Sequence, residues 1–142
     1  MRPLLCAAAG AFALALAGSA AAATLHFHAN LTAAQETPPT SSQGTGSATI
    51  DLNTADRTLS WKLTYQGLSG PATAAHFHGP AKPGKAAGVQ VPITKPLDSP
   101  IKGSAKITPS QEKQLRAGDW YVNIHTAQNP GGEIRGQVLS GK

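Results

Sequence analysis

Five histidines lie within the 142 residues, and four of them form two pairs of identical spacing, His26-Phe27-His28 and His76-Phe77-His78. In an extended chain, residues two apart point to one face, with Cα atoms about 6.5–7 Å apart. Either pair can therefore turn two imidazoles toward one ion. In Ala75-His76-Phe77-His78-Gly79-Pro80 the phenylalanine points the other way, into a core, and Gly-Pro ends the strand. His125 lies in another alternating stretch, out of phase with the apolar Trp120, Val122 and Ile124. Three neutral imidazoles suit copper or zinc and leave one coordination position open. The plainer account is that the pair lies on an exposed strand face, with His78 bonding a turn carbonyl.

The other chemistry-bearing residues suggest less. His26 and His28 are expected to face solvent. Cleavage after Ala23 would offer an alternative, a square-planar copper(II) set made of the new amine, two amides and His26. Glu36 and Glu133 are each expected to bond local turn amides. Arg135, inside Ile134-Arg135-Gly136-Gln137-Val138, is expected either to pair with Glu133 or Glu36 or to face an anion. The serines lie in turns without a nucleophile-elbow pattern, and the only cysteine, Cys6, is in the leader.

These residues need strands to position them, and the chain supplies strands. Leu25, Phe27, Ala29 and Leu31 alternate with polar residues, which predicts a half-buried strand. Ala48-Ile50-Leu52 and Leu59-Trp61-Leu63-Tyr65, joined by Asn53-Thr54-Ala55-Asp56, predict a hairpin over 44–65. Further strands are expected over 73–78, 89–93, 101–107, 120–125 and 133–139. Pro92 places the 89–93 strand at an edge, because proline has no N–H for the ladder. Thr108-Pro109-Ser110-Gln111 combines an N-cap, a first-turn proline and a capping-box Gln, predicting one helix to about Arg116. The expected core includes Trp61, Leu63, Phe77, Trp120, Val122 and Ile124. Seven or eight short strands with regular turns predict an all-β Greek-key sandwich or barrel with one short helix.

Residues 1–23 read as a secretory signal peptide: Arg2, then an Ala/Leu-rich run, then small residues ending in an Ala-x-Ala pattern. One domain over 24–142 follows, in the periplasm or secreted, with no membrane attachment once the leader is removed. That domain keeps all five histidines and has no cysteine for a disulfide. Its basic excess is small and its lysines are scattered, so there is no nucleic-acid footprint.

The stretches ANLTAAQETPP, GTGSATIDL, LSWKLTYQGLSGPATAAHFHGPA and GDWYVNIHTAQNPGGEIRGQV resemble the CHRD (chordin-like) domain over essentially the whole mature chain. The resemblance implies an immunoglobulin-like or related β-sandwich. YQGLSGPATAAHFHG is also similar, more distantly, to the copper–zinc superoxide dismutases. That similarity implies copper ligation by His76, His78 and His125, with Arg135 guiding a small anion. The histidine that bridges the two metals in that family, the zinc loop and the disulfide cysteines have no counterparts here. The expected function is an exported binding protein with a mononuclear copper site. The alternatives are a superoxide dismutase-like oxidoreductase and a metal-free interaction domain whose protein partner the sequence does not name.

Overall fold

The structure, a computed structural model, describes residues 21–141. Most of the expected leader lies outside the described residues. The elements are β1 (Thr24–Thr32), β2 (Thr45–Asn53), β3 (Thr58–Gln66), β4 (Ala72–His78), β5 (Val89–Ile93), β6 (Ile101–Lys106), α1 (Pro109–Arg116), β7 (Trp120–Thr126) and β8 (Ile134–Ser140). A short 3₁₀ turn, Ala33–Gln35, follows β1. Among the described residues, no helix is long and apolar enough to cross a membrane.

The eight strands form one antiparallel sheet in the order β5-β4-β7-β8-β1-β2-β3-β6. β1, β2 and β3 form a meander. The chain then crosses to the far end for the β4–β5 hairpin, returns to lay β6 beside β3, and crosses again to place β7 beside β4. These crossings give the Greek-key pattern. The sheet curls on itself, because Trp61 on β3 meets Phe77 on β4 with ring centroids 5.3 Å apart, although four strands lie between them. Among the described residues the result is all-β with one α-helix, a nearly closed barrel or sandwich.

Alternation explains the packing. Phe27, Ala29 and Leu31 of β1, Ala48, Ile50 and Leu52 of β2, and Leu59, Trp61 and Leu63 of β3 are all buried. Phe77, Trp120, Val122 and Ile124 complete the core from β4 and β7. Each large apolar side chain removed from water contributes roughly 1.5–3 kcal/mol, and no disulfide assists. The glycine at 79 makes room for this core: a Cβ there would lie 2.4 Å from Trp120 Cδ1.

The two sheet edges are β5 and β6. Pro92 lies on β5, an edge strand, where a residue without an N–H is tolerated. The helix forms where its capping pattern predicts. Thr108 Oγ1 accepts from the Gln111 amide, and Gln111 Oε1 accepts from the Thr108 amide. Gly118 follows the helix at φ +72°, which suits a residue without a side chain. Leu115 carries the apolar side of α1 into the core.

Candidate metal centre

The parity that buries Phe77 and Val122 turns their neighbours outward. On the outer face, His76 and His78 of β4 lie beside Asn123 and Tyr121 of β7, and these lie beside Arg135 and Gln137 of β8. His125 is opposite Ala74, one step along the same face. All three expected histidines therefore meet. One ring nitrogen from each of His76, His78 and His125 lies within 4.8 Å of the others. His76 Nδ1 is 3.1 Å from His125 Nε2.

Two of the rings are held by the backbone. His78 Nδ1 is 3.0 Å from the Ala87 carbonyl, and His125 Nδ1 is 2.9 Å from the Pro130 carbonyl. A carbonyl only accepts, so each Nδ1 carries the proton and each Nε2 keeps its lone pair. A metal-binding histidine is commonly oriented in this way. The His78 ring also stacks on Tyr121, at 4.7 Å between centroids and 3° between planes. Desolvation lowers the pKa of both His76 and His78 from the ordinary imidazole value. For His76 the neighbouring imidazoles add to the shift, and for His78 His125 and Arg135 add to it, against hydrogen bonds that oppose it. Both rings are thus biased toward the neutral form that can bind a metal at pH 7. His78 is buried, whereas His76 and His125 are half-buried and leave one side of the cluster toward solvent.

Arg135 does not make the ion pair that was one expectation for it. Among the described residues no carboxylate oxygen lies within salt-bridge distance of it. Its guanidinium lies 3.5 Å from the Tyr121 ring centroid. It donates to Thr37 Oγ1, the Lys82 carbonyl and Gln137 Oε1 at 3.3–3.5 Å. Only 1% of the residue is exposed. It also lines a cavity of about 510 Å³ with Gln35, Glu36, Pro38, Pro39 and Pro83.

Glu133 is unavailable to Arg135 because hydroxyls surround its carboxylate. It accepts from Ser42 Oγ at 2.6 Å, Ser69 Oγ and Thr126 Oγ1 at 2.5 Å, and the Ser69 amide at 2.7 Å. Asn129 Nδ2 donates as well, at 3.1 Å. Among the described residues Glu133 does not bond the local turn amides expected for it: the backbone N–H it accepts from is that of Ser69, 64 residues away, and hydroxyls from three segments do most of the work. Burial alone would raise its pKa, but these donors outweigh burial and hold it at about 2. Glu36 is the opposite case. It is buried, with the Thr37 amide 3.4 Å from Oε2 and no well-formed hydrogen bond to Oε1, and desolvation raises its pKa.

The second pair does not form a comparable site. His26 Nδ1 is 2.7 Å from Asp51 Oδ1, and both side chains are largely exposed. His28 Nδ1 is buried without a hydrogen-bond partner among the described residues. Residues 24–26 are extended and paired with β2, so successive amides point to opposite sides. That arrangement disfavours the square-planar set considered for His26. Sequence reasoning passed over Tyr121, Asn123 and the burial of Glu36. The first two were legible in the 121–123–125 parity.

A family model described as the CHRD domain matches residues 27–138, which contain the whole cluster. No curated protein and no solved structure matches the chain.

Proposed function

The chain belongs to the CHRD domain family, and from that premise we propose that it is an exported binding protein taking one copper ion on the β4–β7 outer face. One observation carries the reading: three imidazoles within ligand distance of one another, two of them held by backbone carbonyls with Nε2 bare. His76, His78 and His125 supply the nitrogens. The absence of cysteine from the matched region gives a nitrogen–oxygen site, which suits copper(II) or zinc rather than thiolate-bound copper(I). Export rests on the leader-like residues 1–23, with the periplasm or the cell exterior as the destination.

A second reading, a copper oxidoreductase for a small anion such as superoxide, draws on Arg135. Among the described residues its guanidinium has no carboxylate within ion-pair distance, and it lies on the Tyr121 ring that stacks against His78. A fixed positive charge there would raise the local concentration of an anion approaching the open side of the cluster. The test begins with the chain expressed without a histidine tag, loaded with copper(II), freed of excess metal and assayed for metal content. About one copper per chain is expected, falling below a tenth in His76→Ala or His125→Ala. Metal content near zero in the unaltered chain, or unchanged in both variants, leaves the metal-free interaction domain as the function. Superoxide turnover above that of free copper decides for the second reading, and its absence decides for binding alone.

A further inference from the structure

Asn123 stands at the centre of the cluster, with only 3% of the residue exposed. Its Oδ1 is 3.0 Å from His78 Nε2 and 3.1 Å from His125 Nε2. Both nitrogens carry lone pairs, because the Ala87 and Pro130 carbonyls take the Nδ1 protons. A carboxamide oxygen is also only an acceptor. Three acceptors therefore face one another, and His76 Nδ1, the ring nitrogen at 3.1 Å from His125 Nε2, can donate to that one alone, an arrangement that suits a cation.

The far side of the amide explains why the oxygen faces inward. Asn123 Nδ2 is turned toward Glu36 Oε1, without a well-formed hydrogen bond between them, and its nearness partly offsets the upward push of burial on the Glu36 pKa. A Cβ on Gly132 would come within 2.4 Å of Glu36 Oε1 and 2.7 Å of Asn123 Nδ2, so both groups converge on the space left by that glycine. Gly132 also has φ +125°, which other residues rarely adopt. The carboxylate of Glu36 draws the Nδ2 donor to its side and leaves Oδ1 toward the histidines.

The spacing is informative. His76 Nδ1, His125 Nε2, Asn123 Oδ1 and His78 Nε2 follow one another at 3.1, 3.1 and 3.0 Å. With metal–ligand arms of about 2.0–2.1 Å, such separations subtend about 95° at the ion. Tetrahedral ligands on the same arms would lie about 3.3–3.4 Å apart. These separations are also those of hydrogen bonds in the metal-free site, and they are compatible with the tetragonal nitrogen–oxygen geometry of copper(II).

We propose that Asn123 Oδ1 is a fourth ligand of this centre, completing a three-nitrogen, one-oxygen set that selects copper(II) over zinc. The inference rests on the copper reading above and adds a ligand and a metal preference to it.

The decisive measurement uses the unaltered chain grown with asparagine labelled with ¹³C at the side-chain carbonyl and loaded with one equivalent of copper(II). Pulsed electron–nuclear double resonance should resolve an isotropic ¹³C coupling transmitted through the amide oxygen. In parallel, Asn123→Leu should bind copper(II) at least tenfold more weakly against a competing chelator. Its copper-over-zinc preference should fall, and its parallel copper hyperfine splitting should change. A purely dipolar ¹³C coupling in the unaltered chain overturns the proposal, whether or not the Leu variant folds. So does an Asn123→Leu protein with the affinity and spectrum of the unaltered chain. In either case copper loss in His76→Ala leaves the three-histidine reading standing. If the unaltered chain takes up no copper, both fall together.

Discussion

Replacing Glu133 by glutamine tests whether one buried ion ties the site-bearing loops together. Its carboxylate is fully buried and accepts from Ser42 on the β1–β2 connection, Ser69 on the β3–β4 connection, Thr126 at the end of β7 and Asn129 in the following turn. That turn also contains Pro130, whose carbonyl orients His125. Glutamine keeps the shape and removes the charge. The pKa of Glu133 falls from the ordinary 4.5 to about 2 in the folded chain. At 1.36 kcal/mol per unit, the ionised form contributes about 3 kcal/mol at pH 7. The sign follows from proton binding: below pH 4.5 the unfolded chain takes a proton that the folded chain refuses. The contribution is therefore complete above about pH 4.5 and is lost as pH falls toward 2. By pH 3 about 1.4 kcal/mol should remain. Urea unfolding of both proteins at pH 7 and pH 3, followed by tryptophan fluorescence, reads this directly. With a slope of roughly 1.5 kcal/mol per molar, the Glu133→Gln midpoint should lie about 2 M lower at pH 7, and the gap should about halve at pH 3. A gap that is the same at both pH values would mean that glutamine harms packing and that the hydroxyl cage does not hold an ion. A gap under about 0.5 M at pH 7 would refute the account outright.

Trp61→Ala and Trp120→Ala should each cost about 3–5 kcal/mol in the same assay, because both rings contact Phe77 in the core, and an unchanged midpoint would contradict that packing. The metal-free protein should lose stability as pH falls below about 6.5, because the unfolded chain protonates imidazoles that the folded His76 and His78 keep neutral, and His76→Ala should lessen that loss. For the same reason copper should be retained below that pH, as followed by metal content after dialysis across pH 5–7. Arg135→Met should keep copper content within error and lower stability by about 1–3 kcal/mol, since it removes the cation on Tyr121 and the donors to Thr37 and Gln137. Loss of copper in that variant would show that Tyr121 and His78 depend on the guanidinium for their placement.

The fold was legible wherever a local rule decides it. Period-two alternation placed all eight strands to within a residue or two. Thr108-Pro109-Ser110-Gln111 placed the helix, and Pro92 correctly placed its strand at an edge. Alternation cannot say which strands become neighbours. The meeting of Trp61 with Phe77 arises from how an eight-stranded sheet curls, a property of the whole chain. The 3₁₀ turn Ala33–Gln35 also escaped, because Ala-Ala-Gln carries no turn signal. Yet it precedes the Glu36–Pro39 segment that lies beside Arg135.

The site divides in the same way. The three histidines could be proposed from spacing, because i and i+2 on a strand share a face whatever the partner strand is. Their meeting required β4 and β7 to be neighbours in the register that sets His76 opposite Asn123. Arg135 was expected to pair with a carboxylate, Glu36 or Glu133, or to face an anion, and among the described residues it forms no ion pair with either Glu36 or Glu133. Three hydroxyls and two N–H groups hold the Glu133 carboxylate more closely than a distant guanidinium could, and the guanidinium takes an aromatic ring instead. Charge complementarity along a sequence is a weak guide inside a sheet, where loops bring in donors that lie far away in the chain: Ser42 is 91 residues from Glu133. Loops likewise orient the histidines. Without the Ala87 and Pro130 carbonyls, either ring could present either nitrogen. With them, His78 and His125 each present Nε2 toward Asn123, and an ordinary His-x-His strand becomes part of a set of convergent nitrogens.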